Sequence, residues 1–164
     1  MEIFQRSIHS SVKQVDDDHL QVTSSLLDLE HSFHLHITVC TSDGTIEAAR
    51  ATMSKAPLSR CLAGAEGVSR LAGLRIGRGV IKEINRRLGG PRGCAHMVEL
   101  VTDAVRLVSM ILIGASVNYW DELKKTMTEE EIVAEGRKRL RNTCLVFADD
   151  EGRATPRSTR DTER

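Results

Sequence analysis

The segment from Phe33 to Ile46, FHLHITVCTSDGTI, has the clearest secondary-structure pattern in this chain. Its first eight residues alternate between apolar and polar, which places the apolar side chains on one face of a strand and His34 and His36 on the other. The next four residues, Thr41–Gly44, predict a hairpin turn whose glycine adopts a positive φ. The following residues, Thr45–Met53, then return as the antiparallel partner strand.

Two further segments with the character of strands precede this hairpin. Met1–Val15 and Leu20–Glu30 alternate more loosely, and the acidic turn Asp16–Asp18 separates them. We therefore expect the N-terminal half to form an antiparallel sheet of three or four strands.

The apolar spacing changes to that of helices after Pro57. Apolar residues now recur every three or four positions, with glycines between the successive stripes. The fold class that follows is α+β, in which helices of the C-terminal half back the sheet. The predicted helices run over Pro57–Leu74, over Val80–Leu88, from Gly93 or Cys94 to about Val117, and onward from a capping box at Thr128 and Glu131.

The composition is typical of one globular domain, because 40% of the 164 residues are hydrophobic and 28% are charged. We expect residues 1–150 to form this single domain. Residues 151–164 lack any large apolar side chain and are expected to be a disordered tail.

Charge and hydropathy exclude several classes of protein. Basic and acidic residues number 23 each, so the chain lacks the surplus of positive charge that a nucleic-acid binder needs. Aromatic residues are 3% of the chain, too few for the rings on which bases stack. The longest apolar stretch, Leu107–Val117, is too short to cross a membrane, and the N-terminus does not read as a secretory signal. The expected protein is cytoplasmic, and its four cysteines, none of them in a C-x-x-C pair, are expected to be reduced.

The segment Gly89–Leu100, GGPRGCAHMVEL, holds the residue types most suited to chemistry. Its glycine-rich turn delivers Cys94 to the first turn of a long helix, where the helix dipole favours a thiolate. Cys94 also shares a helical face with apolar residues, so a place in the core is an open alternative. His96 and Glu99 lie on the polar side and suit a proton-transfer pair, although any solvated helix face has the same pattern.

Two other features suggest a bound ligand. His34 and His36 point the same way from one strand, a spacing that zinc, iron or copper can use, and a solvent-facing strand explains it equally well. Arg60 lies near a helix start after Pro57, where it can anchor an anion or simply lie at the surface.

Three motifs resemble a bacterial domain-of-unknown-function family, number 2889. They are Pro57-x-x-x-Cys61, the segment LAGLRIG at residues 71–77, and LGGPRGCAHMVEL at residues 88–100. The resemblance extends from the N-terminal strands to about Asp149. It implies that His31, Cys61, Cys94 and His96 correspond to family motif positions, while Ala95 and Met97 depart mildly from the pattern.

The order of elements is also similar to that of iron–sulfur scaffold proteins of the NifU/SufE type. The similarity covers a D-G-x-I hairpin, here Asp43–Ile46, a cysteine at a helix start, and a later cysteine before a long helix. It implies an α+β fold in which Cys61 and Cys94 lie near each other.

Two functional hypotheses follow. The first is a cofactor-independent enzyme for a small molecule, which the family resemblance implies to be a lyase breaking a C–C bond of an aromatic catabolite. Here His96 and Glu99 transfer protons, His31 is a second acid or base, Arg60 anchors an anion, and Cys61 and Cys94 line the pocket. The second is a zinc or iron–sulfur binding module with ligands from Cys61, Cys94, His96 and His31. In either case we expect no nucleic-acid or membrane partner. The sequence is compatible with a homodimer and with a monomer.

Overall fold

The computed structural model describes residues 1, 3–114 and 119–149. The chain divides into two compact units, Met1–Gly114 and Ala115–Arg164. The predicted disordered tail at residues 151–164 lies outside the described residues. Within the described part, no helix has the length and apolar character needed to cross a membrane.

The first unit contains a four-stranded antiparallel sheet in which consecutive strands are neighbours. The predicted antiparallel sheet of three or four strands is therefore correct. The turn glycine, Gly44, has the expected positive φ, at +75°. The sheet lies in the N-terminal half and the helices follow it, so the predicted α+β class is confirmed. The strands are β1 (Arg6–Gln14), β2 (His19–Asp28), β3 (Ser32–Cys40) and β4 (Ile46–Lys55).

One face of this sheet forms the core. The four apolar side chains of β3 that the alternation assigned to one face are all at most 1% exposed, whereas His34 lies exposed on the other face. The buried side chains of β2 and β3 form one hydrophobic cluster with side chains from the helices that follow β4. Alternation along a half-buried strand therefore identified the core-facing residues correctly.

The segment predicted as one helix over Pro57–Leu74 is instead three short pieces. A 3₁₀ turn at Ser59–Cys61 leads into α1 (Leu62–Glu66), and a second 3₁₀ turn covers Gly67–Leu71. Two glycines, Gly64 and Gly67, lower the helix propensity of this segment, so its packing onto the sheet decides the local geometry.

The next two helices agree better with the sequence. The first, α2 (Val80–Leu88), has the predicted bounds, and α3 (Ala95–Leu112) begins after Cys94, its N-cap. However, α3 ends at Leu112, five residues before the predicted Val117. The reason is Gly114, whose φ of +107° belongs to the left-handed region that terminates helices.

The described residues of the second unit form two helices, α4 (Tyr119–Thr126) and α5 (Glu129–Leu140). The predicted capping box is present, because the Thr128 side chain accepts a hydrogen bond from Glu131 and the Glu131 carboxylate accepts one in return. The sequence reading missed α4, although its acidic residues lie in the first turn and its lysines in the last, as the helix dipole favours.

Candidate functional site

The turn between β2 and β3 builds a buried carboxylate next to a histidine. Asp28 is the last residue of β2, and its Oδ1 atom accepts hydrogen bonds from the backbone N–H groups of Glu30 and His31 at 2.9 and 2.8 Å. A side chain that accepts from the backbone two and three residues ahead stabilises a tight turn. This turn fixes the His31 ring beside the Asp28 carboxylate.

The Asp28 carboxylate is fully buried and fully partnered. Arg6, its cross-strand neighbour on β1, donates from Nε and Nη2 at 2.9 and 2.8 Å, and His31 Nδ1 lies 2.9 Å from Oδ1. Burial alone would raise the pKa of Asp28, but the hydrogen bonds from Glu30, His31 and Arg6 outweigh it and hold this pKa well below the usual range. Asp28 is therefore ionised at neutral pH.

The contact with Asp28 determines which nitrogen of His31 carries the proton. An ionised carboxylate can only accept, so Nδ1 donates to it, and in the neutral ring the lone pair is on Nε2. Within the described part of the chain, the Nε2 atom has no hydrogen-bond partner and is not among the fully buried atoms that lack one. It is therefore available to an incoming molecule.

A second histidine lies against this ring. His96, in the first turn of α3, is half-buried, and its ring centroid is 4.1 Å from that of His31. Phe33 packs edge-on against His31 at 5.3 Å. Burial lowers the pKa of His96, and repulsion from His31 when that ring is protonated and from Arg6 lowers it further, against smaller opposing effects of Asp28 and Glu99. His96 is therefore neutral at neutral pH.

The polar side of α3 contacts β1. Glu99 accepts a hydrogen bond from Arg6 Nη1 at 2.9 Å, and Asp103 accepts one from Ser10 at 2.6 Å. Arg6 thus bridges Glu99 to Asp28, and in the described residues Glu99 and His96 share no hydrogen bond. The structure places Glu99 beside the histidines, with Arg6 as its direct partner.

The two cysteines of interest lie on adjoining elements. Cys94 is half-buried, and its side chain makes no capping hydrogen bond to α3. A Cβ atom on Gly64 would lie 2.9 Å from the Cβ and 3.7 Å from the Sγ of Cys94, so Cys94 packs closely against α1. Cys61, the N-cap of α1, lies three residues before Gly64 and is also half-buried.

The other candidate residues are Arg60, His34 and His36. Arg60 is exposed on the 3₁₀ turn after β4, and His34 and His36 lie on the face of the sheet opposite the core. No three or more histidine, cysteine or carboxylate side chains among the described residues are arranged to hold a metal ion.

Sequence reasoning missed Asp28, Arg6 and Phe33. The signal for Asp28 was its position three residues before His31 at a strand end, the spacing that lets a carboxylate accept from the backbone of a turn. No local signal existed for Arg6, because its partner is 22 residues away and the pairing depends on the register of β1 with β2.

The turn that delivers Cys94 and His96 requires a glycine at position 93. A Cβ atom there would lie 1.9 Å from the carbonyl oxygen of Leu88, which itself accepts a hydrogen bond from the Cys94 N–H at 2.8 Å. We expect Gly93→Ala to lower the free energy of unfolding by about 2 kcal/mol, because backbone atoms must move to admit the methyl group.

Urea denaturation would measure this loss, with Gly77→Ala as the matched control. A Cβ at Gly77 meets nothing within 4 Å, so that variant should stay within about 0.5 kcal/mol of the wild type. Equal stability of the two variants would contradict the close approach seen at Gly93.

The fold and site together define an α+β protein with an aspartate and two histidines clustered where β2 turns into β3. The family model described as "Protein of unknown function (DUF2889)" matches residues 4–109, which is more than half of the chain. The chain therefore belongs to this family, and the matched range includes Asp28, His31 and His96. Neither the curated proteins nor the solved structures include a match to the chain.

Proposed function

We propose that this protein is a small-molecule enzyme that works by general acid–base chemistry at His31. The observation that carries the proposal is the 2.9 Å contact between His31 Nδ1 and the buried Asp28 carboxylate. This contact orients the ring, directs the Nε2 lone pair away from the carboxylate, and stabilises the imidazolium that forms when Nε2 takes a proton. Asp28 acts through His31 and is a positioning residue.

His96 supplies a second imidazole in the same place. Because two cationic rings whose centroids are 4.1 Å apart repel each other, the pair does not readily hold two charges. In this proposal His31 gains and returns the proton, and neutral His96 hydrogen-bonds to the substrate. Glu99 contributes indirectly by holding Arg6, whose guanidinium in turn holds Asp28.

The proposed reaction is cofactor-independent cleavage of a C–C bond next to an aromatic ring, as the family resemblance implies. His31 removes the proton of a hydroxyl on the carbon to be released, the oxygen's electrons form a carbonyl, and the C–C electrons stay on the ring-side carbon. The His31 imidazolium then protonates that carbon, so the enzyme ends in its starting state. Arg60 remains the proposed anchor for a substrate anion, with Cys61 and Cys94 as pocket walls.

A cavity of about 330 Å³ with both polar and apolar walls adjoins Asp28, but neither His31 nor His96 is among the described residues that line it. Its walls include Phe4, Leu27 and Leu29, all of which are exposed to solvent in this protein. Exposed apolar side chains around one concave surface are typical of sites that bind apolar molecules.

A metal-binding module of the NifU/SufE type is the second candidate. A carboxylate that accepts a hydrogen bond from one histidine nitrogen also orients a metal-binding histidine. His31 and His96 alone give two ligands, so a metal ion would need further donors from Cys61 or Cys94. The described side chains form no such group of three, so we favour proton transfer.

The test is a substrate screen in the presence of a metal chelator. Purified protein would be incubated with hydroxylated aromatic compounds whose side chains carry a hydroxyl group, and the products identified by mass spectrometry. Cleavage by chelated protein without added cofactor is the expected result. Activity that disappears with the chelator and returns with zinc or iron would overturn this proposal in favour of the metal module.

A further inference from the structure

A cavity lined by four arginines lies beside the glycine-rich turn that precedes α3. Its volume is about 590 Å³, and its walls combine Arg70, Arg86, Arg87 and Arg92 with the backbone of Gly89–Pro91. Among the described residues no acidic side chain lines it, although the chain as a whole has a formal net charge of zero. Positive charge is therefore concentrated around one concavity of the size that small-molecule sites have.

Two of these arginines are held in place by other parts of the chain. Arg87 donates from Nη1 to the Arg70 carbonyl at 2.7 Å, and Arg86 and Arg87 both contact the Glu83 carboxylate, at 2.8 and 3.5 Å. These contacts restrain Arg87, whose side chain is 25% exposed, more than Arg86, whose side chain is 66% exposed. A preformed arrangement of donors lowers the entropy lost on binding.

The other two arginines retain donors for a ligand. Arg70 and Arg92 are exposed, and neither has an ion pair or a side-chain hydrogen bond to any described residue. The Arg70 guanidinium nevertheless lies over its own 3₁₀ turn, since a Cβ on Gly67 would be 2.6 Å from its Nη2. An arginine without a carboxylate partner at a cavity wall is well suited to grip an anion with two hydrogen bonds.

We propose that this cavity binds a phosphorylated small molecule carrying two or more negative charges. Two constrained and two unpartnered guanidinium groups provide more donors than a single carboxylate can accept, whereas a phosphoryl group presents three oxygens and a diphosphate more. The site is separate from the Asp28–His31 pair and does not depend on the proposed enzyme reaction. It gives the protein an anion-binding activity of its own.

The test uses inorganic pyrophosphate as the probe in isothermal titration calorimetry with the full chain at fixed ionic strength. We expect saturable binding that the double variant Arg70→Gln/Arg92→Gln weakens by at least about tenfold per arginine lost, because each charge-assisted contact is worth that much. Both side chains are exposed, so the variant is expected to fold normally, which circular dichroism verifies.

The matched control is Arg78→Gln/Arg106→Gln. It removes the same charge from two exposed arginines outside the cavity, so it should leave pyrophosphate binding within about twofold of the wild type if the effect is local. Equal weakening by both double variants, or no saturable binding by the wild type, would overturn the proposal. Displacement of pyrophosphate by a single-stranded oligonucleotide at lower concentration would also overturn it, in favour of a nucleic-acid surface.

Discussion

Replacing His31 by glutamine is expected to lower kcat for the compound identified in the substrate screen by about 10²- to 10⁴-fold, the usual contribution of a general acid–base group. Glutamine is close to histidine in length and its amide can still donate to Asp28, so the β2–β3 turn should survive. It has no group that takes up a proton near neutral pH. The loss should therefore appear in kcat, with KM changed much less.

His34→Gln is the matched control for this variant. His34 belongs to the neighbouring strand but lies exposed on the face of the sheet away from the core, so turnover should be unchanged. The pH–rate profile gives a second readout, because the limb that reports the base should be lost in His31→Gln and kept in His34→Gln. Full activity of His31→Gln, with the wild-type pH profile, would remove His31 from the mechanism.

Local periodicity was enough to predict the sheet of the first unit. The alternation around Leu35 identified the buried face of β3, and the turn ending at Gly44 fixed the hairpin, because both depend on residues close in sequence. The helical segment after Pro57 was predicted poorly. There the backbone follows the packing of Val68 and Leu71 into the core, which no local pattern encodes.

The candidate site was predicted in part. The family motifs led to His31 and His96, and the structure brings their rings together. The sequence predicted Glu99 as the proton-transfer partner of His96 because both lie on the polar side of α3. Spacing along one helix cannot show that Glu99 accepts a hydrogen bond from Arg6 of β1. Contacts between residues far apart in the chain depend on how helix and sheet dock.

Replacing Asp28 by asparagine is expected to lower the free energy of unfolding by about 3 kcal/mol, near the lower end for a broken buried ion pair. Arg6 would lose its buried carboxylate partner, and the asparagine amide could place a donor against the donors of Arg6 or His31. Arg6 remains 29% exposed and can regain some water, which keeps the loss near the lower end. Urea denaturation at neutral pH would measure it.

The pH dependence of this loss separates the charge of Asp28 from its shape. Because folding lowers the pKa of Asp28, its ionised form stabilises the fold above the ordinary carboxyl pKa of about 4, and this contribution disappears as pH falls through that range towards the folded value. The difference in free energy of unfolding between wild type and Asp28→Asn should therefore be full near pH 7 and shrink in acid.

Asp43→Asn is the control, since Asp43 also accepts from a backbone N–H two residues ahead but is exposed. Its substitution should lower the free energy of unfolding much less. A difference between wild type and Asp28→Asn that stays constant from pH 7 into acid would mean that the hydrogen-bond geometry of the turn, and not the buried charge, holds His31 in place.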